Sequence, residues 1–252
     1  MKLGSIESFI LWVEEKVCKE HWSFDAVVGY AKRHCIFARN EMVCTKTLYN
    51  YLHQGLFGVK AIDLPLVTHR SLRKSVSSKY KRELGKSIEL RDTTIETREK
   101  FGYWEIDTVR GTKDKTDDVL ISLIERKSRL YIALRCPSAR SHDVKETLET
   151  WLSTFRNNVE LGLLCKTITA DNGLEFADIS DLEDEILSIY FARPYSAWER
   201  GSNERHNGLL RRFIPKGKRI ENISEHTLRR TLHWCNNLPR KILHYKIPQE
   251  VF

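Results

Sequence analysis

Trp104-Glu105-Ile106-Asp107-Thr108-Val109 alternates apolar or aromatic side chains with polar ones. That period of two predicts a half-buried strand. Side chains two apart on a strand point the same way, so Glu105 and Asp107 share a face. A single surface acid is ordinarily just solvated, but Asp107 stands on a strand that is otherwise apolar and aromatic. The rest of the chain takes its meaning from this segment.

Downstream, Val119 to Ile124 and Leu130 to Leu134 read as two more strands, with Ser128-Arg129 near the turn between them. Ser141 is placed to cap a helix running to about Asn157, with Val144, Leu148, Trp151, Leu152 and Phe155 on one face. Lys166 to Ala170 reads as a fourth strand ending at Asp171-Asn172-Gly173, and Ile189 to Ala192 as a fifth before Pro194. Ser202 would cap a helix through Leu209, Leu210 and Phe213, stopped by Pro215, and a last helix spans about Ser224 to Asn236. Three strands, a helix, two strands and then helices predict a mixed α/β domain over residues 91–252.

Upstream the texture differs. Residues 67–90 mix His69, Arg70, Arg73, Lys74, Lys79, Lys81, Arg82 and Lys86 with serines and few large apolar groups, and read as a basic linker. Residues 1–66 predict three short helices. Ile6, Phe9, Ile10, Val13 and Val17 fall at helical spacing. A second helix starts after Ser23, and a third starts at Thr45 as N-cap and ends before Gly55. Together they suggest a helix-turn-helix-like unit, although residues 35–44 are a longer connection than that motif ordinarily has.

Composition narrows the class. No apolar run reaches the roughly 18 residues that a bilayer span needs. The first residues do not read as a signal peptide, so a cytosolic protein without membrane contact is expected. The six cysteines contain no C-x-x-C pair and read as scattered buried thiols. A zinc site from Cys18, His21, His34 and Cys35 is disfavoured by the adjacent His34-Cys35 pair. The net charge of +8 divides as +1 over residues 1–66, +5 over 67–100, −6 over 101–192 and +8 over 193–252. Positive charge confined to two segments suits a polyanionic partner.

Three carboxylates sit where backbone would hold them: Asp107 in the first strand, Asp171 past the fourth, and Glu204 in the first turn of a helix. Converging carboxylates repel unless a cation resolves them, and hard oxygen ligands select Mg²⁺ or Mn²⁺. Two such ions about 4 Å apart suit phosphodiester cleavage. Glu105, Glu175 and Glu199 are rival acids, and spacing alone does not choose among them.

A resemblance does. Asp171-Asn172-Gly173-Leu174-Glu175-Phe176 resembles the D-N-G-x-E-F of integrases and transposases. Pro194-Tyr195-Ser196-Ala197-Trp198-Glu199-Arg200-Gly201-Ser202-Asn203-Glu204-Arg205-His206-Asn207-Gly208 is similar to the P-Y-S-x-W-x-R-G-x-N-E-x-x-N-G block of the IS-thirty insertion-sequence family. Gly102-Tyr103-Trp104-Glu105-Ile106-Asp107 resembles its G-H-W-E-x-D, and Ile124-Glu125-Arg126-Lys127-Ser128-Arg129 its V-E-R-K-S-R. The likeness continues through Phe213-Ile214-Pro215-Lys216-Gly217 and Asn237-Leu238-Pro239-Arg240-Lys241, covering essentially all of residues 87–252. Tyr103 and His244 depart from the family's usual His and Gly, and the family's usual first N-terminal helix-turn-helix has no counterpart here.

The resemblance implies a ribonuclease-H-like catalytic domain preceded by a small all-helical, helix-turn-helix-like DNA-binding domain. It implies a DDE transposase in which Asp107, Asp171 and Glu204 hold Mg²⁺ or Mn²⁺, and assigns Glu105, Glu175 and Glu199 to positions that are not ligands. Arg200, Arg205, Arg211, Arg212, Lys216, Lys218 and Arg219 would then clamp DNA phosphates. The expected partners are element ends and target DNA, with a homodimer or higher assembly on DNA, in the bacterial cytoplasm at the nucleoid. The alternative is a DNA-binding protein or nuclease derived from a transposase, without strand transfer.

Overall fold

Strands β1 (Tyr103–Arg110), β2 (Val119–Glu125) and β3 (Tyr131–Cys136) form an antiparallel meander in the computed structural model. β4 (Thr167–Ala170) adds to the far side of β1 in parallel, and β5 (Ser188–Phe191) pairs in parallel with β4. The sheet order is therefore β3-β2-β1-β4-β5, a mixed five-stranded sheet of ribonuclease-H-like form. Residues 6–64, 84–156, 164–193 and 201–252 are described.

The described chain divides into two compact units, Met1–Ser78 with Asn237–Val251, and Lys79–Asn236 with Phe252. The second holds the sheet and three helices: α4 (Ser141–Arg156), α5 (Gly201–Leu210) and α6 (Glu225–Asn236).

Alternation along β1 explains how both sheet faces are covered. Trp104 and Ile106 join Ile121, Leu123, Val144, Leu148 and Leu152 in the core under α4. Val109, on the opposite face, joins Leu120, Ile124, Tyr131, Leu210, Ile214 and Leu228 in the core under α5 and α6. All seven residues of β2 are buried, as a strand covered on both sides requires. Glu105 and Asp107 have the parity of Val109 and so face the α5 side.

The helical unit comprises α1 (Glu7–Cys18), α2 (Phe24–Arg33) and α3 (Thr45–Gln54). Phe9, Val13, Val17, Phe24, Val27, Ala31 and Leu48 are buried. The Ser23 side chain caps α2, accepting from the Ala26 N–H at 3.2 Å. Gly55 ends α3 in the left-handed conformation (φ 65°). A short helix, α7 (Pro248–Val251), lies in the C-terminal segment. Within this unit, Tyr245 of that segment lies against α2 at Gly29, where an added Cβ would stand 2.1 Å from the ring.

Residues 237–251 group by contacts with the helical unit. Several expectations need correction. Thr45 is the first residue of α3, and Cys44 is its N-cap. Ser141 likewise lies inside α4, because Val144 N–H already bonds to the Arg140 carbonyl. α5 begins at Gly201, ahead of Ser202. Cys18, Cys35 and Cys44 are exposed, and only Cys136, Cys165 and Cys235 are buried. Most of the 67–90 linker, the end of the α4 helix at Asn157 and the 194–200 block with Glu199 and Arg200 lie outside the described residues. No helix among the described residues is long and apolar enough to cross a membrane.

Candidate active site

β1 and β4 set the geometry. Their parallel ladder pairs Tyr103 with Thr167, Trp104 with Ile168 and Glu105 with Thr169, a constant difference of 64 positions. Continued two residues further, that register sets Asp107 opposite Asp171, the first residue beyond β4. Adjacent strands lie about 4.8 Å apart and opposed residues point to the same face. Extended past the end of β4, the register would bring the two aspartates to one level of the sheet.

Local bonding orients each of them. Asp107 Oδ1 accepts from the Thr108 N–H at 3.0 Å, and its Oδ2 from Asn207 Nδ2 at 2.8 Å. Asp171 Oδ1 accepts from the Gly173 N–H at 2.9 Å, a side-chain turn of the kind Asp favours. Asn172 stitches this turn to its surroundings. Its Oδ1 accepts from the Leu84 N–H and its Nδ2 donates to the Ala192 carbonyl beyond β5. A Cβ at Gly173 would meet Glu175 Oε2 at 2.8 Å and Asp171 Oδ1 at 2.9 Å, so those carboxylates would have to swing aside.

Glu204 is exposed, in the first turn of α5. Its helix packs, through Leu210, on the sheet face that carries Val109. Asn207, which holds Asp107, is three residues on from Glu204, and i, i+3 positions are neighbours on a helix surface. The Asn203 backbone hydrogen-bonds to Glu105 one turn earlier. Four helical residues rise about 6 Å and two strand residues about 6.7 Å. α5 and β1 therefore step together, Asn203 beside Glu105 and Asn207 beside Asp107. Among the described residues, no three His, Cys, Asp or Glu side chains are gathered as a ready-made metal cage. The donor chemistry is still suited to a hard divalent ion: carboxylate oxygens on β1, just past β4 and on the helix that packs on β1.

The rival acids have other engagements. Glu105 is 1% exposed and stands 3.4 Å from Arg126, itself 2% exposed. Burial pushes the Glu105 carboxyl above its ordinary range, while Arg126, Arg129 and Arg98 pull it down. Arg126 also bonds to Glu96 at 2.6 Å, and Glu96 in turn bonds to Arg91, which donates to Thr169 at 2.9 Å. Glu175 pairs with Arg110 at 3.5 Å.

The basic residues divide by environment. Arg205, Lys216 and Lys218 are exposed. Arg211 donates to the Arg110 carbonyl at 2.6 Å, closing the end of β1. Arg212 lies 5.5 Å from the Trp234 ring centroid. Partial desolvation pushes both guanidiniums down from their ordinary value, although Arg212 is exposed and Arg211 half-buried. Arg219 reaches Asp114 at 3.1 Å and Glu221 at 2.8 Å. Arg211 and Arg219 thus brace the fold. Two residues that sequence reasoning missed belong here. Asn207 was inside the quoted block without a role, and Tyr131, whose hydroxyl meets Asn207 Oδ1 at 2.8 Å, carried no signal at all.

The mixed sheet in the order β3-β2-β1-β4-β5, with helices on both faces, defines a ribonuclease-H-like domain. No family model matches the chain. It is homologous to the transposases of bacterial insertion sequences. It is 38% identical over 208 residues to a probable transposase for insertion-like sequence element IS1161 of Streptococcus salivarius, covering 82% of this chain and 58% of that protein. Over 167 residues it is 36% identical to the transposase for insertion sequence element IS4351 of Bacteroides fragilis, covering 66% and 48%. Over 246 residues it is 29% identical to transposase InsI for IS30C of Escherichia coli (strain K12), covering 91% and 61%. The chain therefore spans about half to three fifths of these relatives' length. Among solved structures, the catalytic core domain of BIV integrase aligns with a TM-score of 0.44 and 17% identity, over 61% of this chain and 94% of that one.

Proposed function

We propose that this chain is a transposase that cuts and rejoins DNA, with Asp107, Asp171 and Glu204 holding Mg²⁺ or Mn²⁺. The observation that supports this is the β1–β4 register, which if extended by two residues would bring Asp107 opposite Asp171, where mutual repulsion would call for a cation. The transposase relatives support the reaction class.

A divalent ion held there would supply activation of an attacking oxygen and stabilisation of the leaving one. Asp107 and Asp171 would fix its position through the strand register, and Glu204 would complete the set from α5. In cleavage, a water oxygen bonds to phosphorus at the element end as the P–O3′ bond breaks in line, leaving a 3′ hydroxyl. In strand transfer, that hydroxyl oxygen bonds to a target phosphorus as the target's P–O3′ bond breaks. Exposed Arg205, Lys216 and Lys218 would hold phosphates beside the acids. Element ends and target DNA are then the partners, and pairing two ends calls for at least a dimer acting at the nucleoid.

Labelled element ends, target DNA and Mg²⁺ or Mn²⁺ test this. Wild-type chain should cleave and join, whereas Asp107→Asn should lose both and keep its DNA affinity, having lost a metal ligand and no phosphate contact. Strand transfer by Asp107→Asn would refute the assignment of the acids. Cleavage by wild type without joining would favour a nuclease.

A further inference from the structure

The Asp107 carboxylate is the end of a chain of hydrogen bonds that starts on the last helix of the α/β unit. β3 is an edge strand, so the outward N–H and C=O of Tyr131 need partners. The Asn236 side chain at the end of α6 supplies both, accepting from the Tyr131 N–H at 2.8 Å and donating to its carbonyl at 2.9 Å. That fixes the backbone from which the Tyr131 ring projects into the core with Leu120, Ile124 and Leu210. The Tyr131 hydroxyl then meets Asn207 Oδ1 at 2.8 Å, and Asn207 Nδ2 donates to Asp107 Oδ2 at 2.8 Å.

The chemistry allows one polarity along this chain. A carboxylate only accepts, so Asn207 must turn its NH₂ toward Asp107. Its carbonyl oxygen then faces Tyr131, whose hydroxyl must donate. A reversed amide would set oxygen against carboxylate. The tyrosine hydroxyl therefore selects the amide orientation that holds Asp107.

We propose that Asn207, oriented by Tyr131, is a positioning residue that fixes the Asp107 carboxylate for its ion and couples it to the helix carrying Glu204. This rests on the assignment of Asp107 as a metal ligand. Outer partners of this kind commonly change metal affinity by about 10–100-fold when removed.

Mn²⁺ titration of the full chain, followed by the electron paramagnetic resonance signal of free Mn²⁺, tests the proposal alongside strand-transfer kinetics. Asn207→Ala should weaken Mn²⁺ binding by about tenfold or more and lower kcat with KM for DNA unchanged. Tyr131→Phe, which removes one oxygen and keeps the ring, should act in the same direction by less. The double variant should be no weaker than Asn207→Ala alone, because Tyr131 acts through Asn207. Wild-type Mn²⁺ affinity and kcat in Asn207→Ala, or additive effects in the double variant, would overturn the proposal. If Asn207→Ala fails to fold, Tyr131→Phe decides, and unchanged Mn²⁺ affinity there overturns it. Loss of Mn²⁺ in Asp107→Asn with full affinity in Asn207→Ala sinks this proposal alone. Mn²⁺ binding that is absent from wild type, or unaffected by Asp107→Asn, sinks the metal assignment and the proposal together.

Discussion

Two residues apart on β1, Glu105 and Asp107 illustrate how environment separates chemically similar groups. Asp107 is half-buried in the middle of β1, whereas Glu105 is enclosed against Arg126. Removing one member of a buried pair leaves an uncompensated charge, so Arg126→Ala should destabilise the α/β unit by about 3–5 kcal/mol in urea unfolding. The double change Glu105→Gln with Arg126→Met should recover most of that loss, and no recovery would mean that the pair matters through packing alone. The pH dependence has a definite sign. Burial raises the Glu105 carboxyl, so the folded state binds its proton more tightly than the unfolded state does. Its contribution to stability is therefore greatest below the ordinary carboxyl range and declines as pH rises through the raised value. Arg126→Ala, by removing a cation that pulls the value down, should steepen that decline between mildly acidic and mildly alkaline buffer.

At the scale of elements, close approaches between chain segments matter as much as the strands. Gly111, just past β1, receives the Gly217 N–H at 2.9 Å. An added Cβ would stand 2.1 Å from the Lys218 backbone carbonyl. Gly111→Ala must push that turn away and should cost about 1–3 kcal/mol by thermal or urea unfolding; an unchanged midpoint would show that the turn moves freely. In the helical unit, Ser23→Ala removes the α2 cap and should cost about 1 kcal/mol. Strands and most helices were legible because their cues are local: period-two alternation in β1, an apolar run in β2, and Asp-Asn-Gly after β4. Three features had no local cue. Tyr245 and Gly29 meet across most of the chain's length. Helices α3, α4 and α5 start one or two residues earlier than the serine and threonine read as caps imply; α3 takes Cys44 as N-cap without a side-chain capping bond. α5 carries Asn203, Glu204, His206 and Asn207 all round and has no clean apolar stripe, so its sequence could not reveal which side faces β1. The acids were separable from their rivals only by resemblance. Structure adds the physical reason for two of the rivals: Glu105 is walled in by arginines and Glu175 pairs with Arg110.

For the whole molecule, charge distribution governs how DNA would be met. The +8 of residues 193–252 follows a −6 segment that holds Asp107 and Asp171, so cations flank an acidic centre in the sequence. Each phosphate neutralised by Lys or Arg releases condensed counterions, and log affinity falls with log salt in proportion to the number of contacts. The basic residues are not equivalent in this respect. Lys216 and Lys218 are exposed, whereas Arg219 is already committed to Asp114 and Glu221. Replacing Lys216 and Lys218 together by alanine should reduce the salt slope by about 2, one per lost phosphate contact, and weaken binding alike across DNA sequences. Arg219→Ala should barely change that slope and should instead loosen the segment that joins β1 to β2, visible as a lower melting temperature. Fluorescence anisotropy of labelled duplex across a salt series measures both. A wild-type affinity indifferent to salt would remove the phosphate clamp altogether, and a slope change with Arg219→Ala as large as with the two lysines would mean that its ion pairs open when DNA binds.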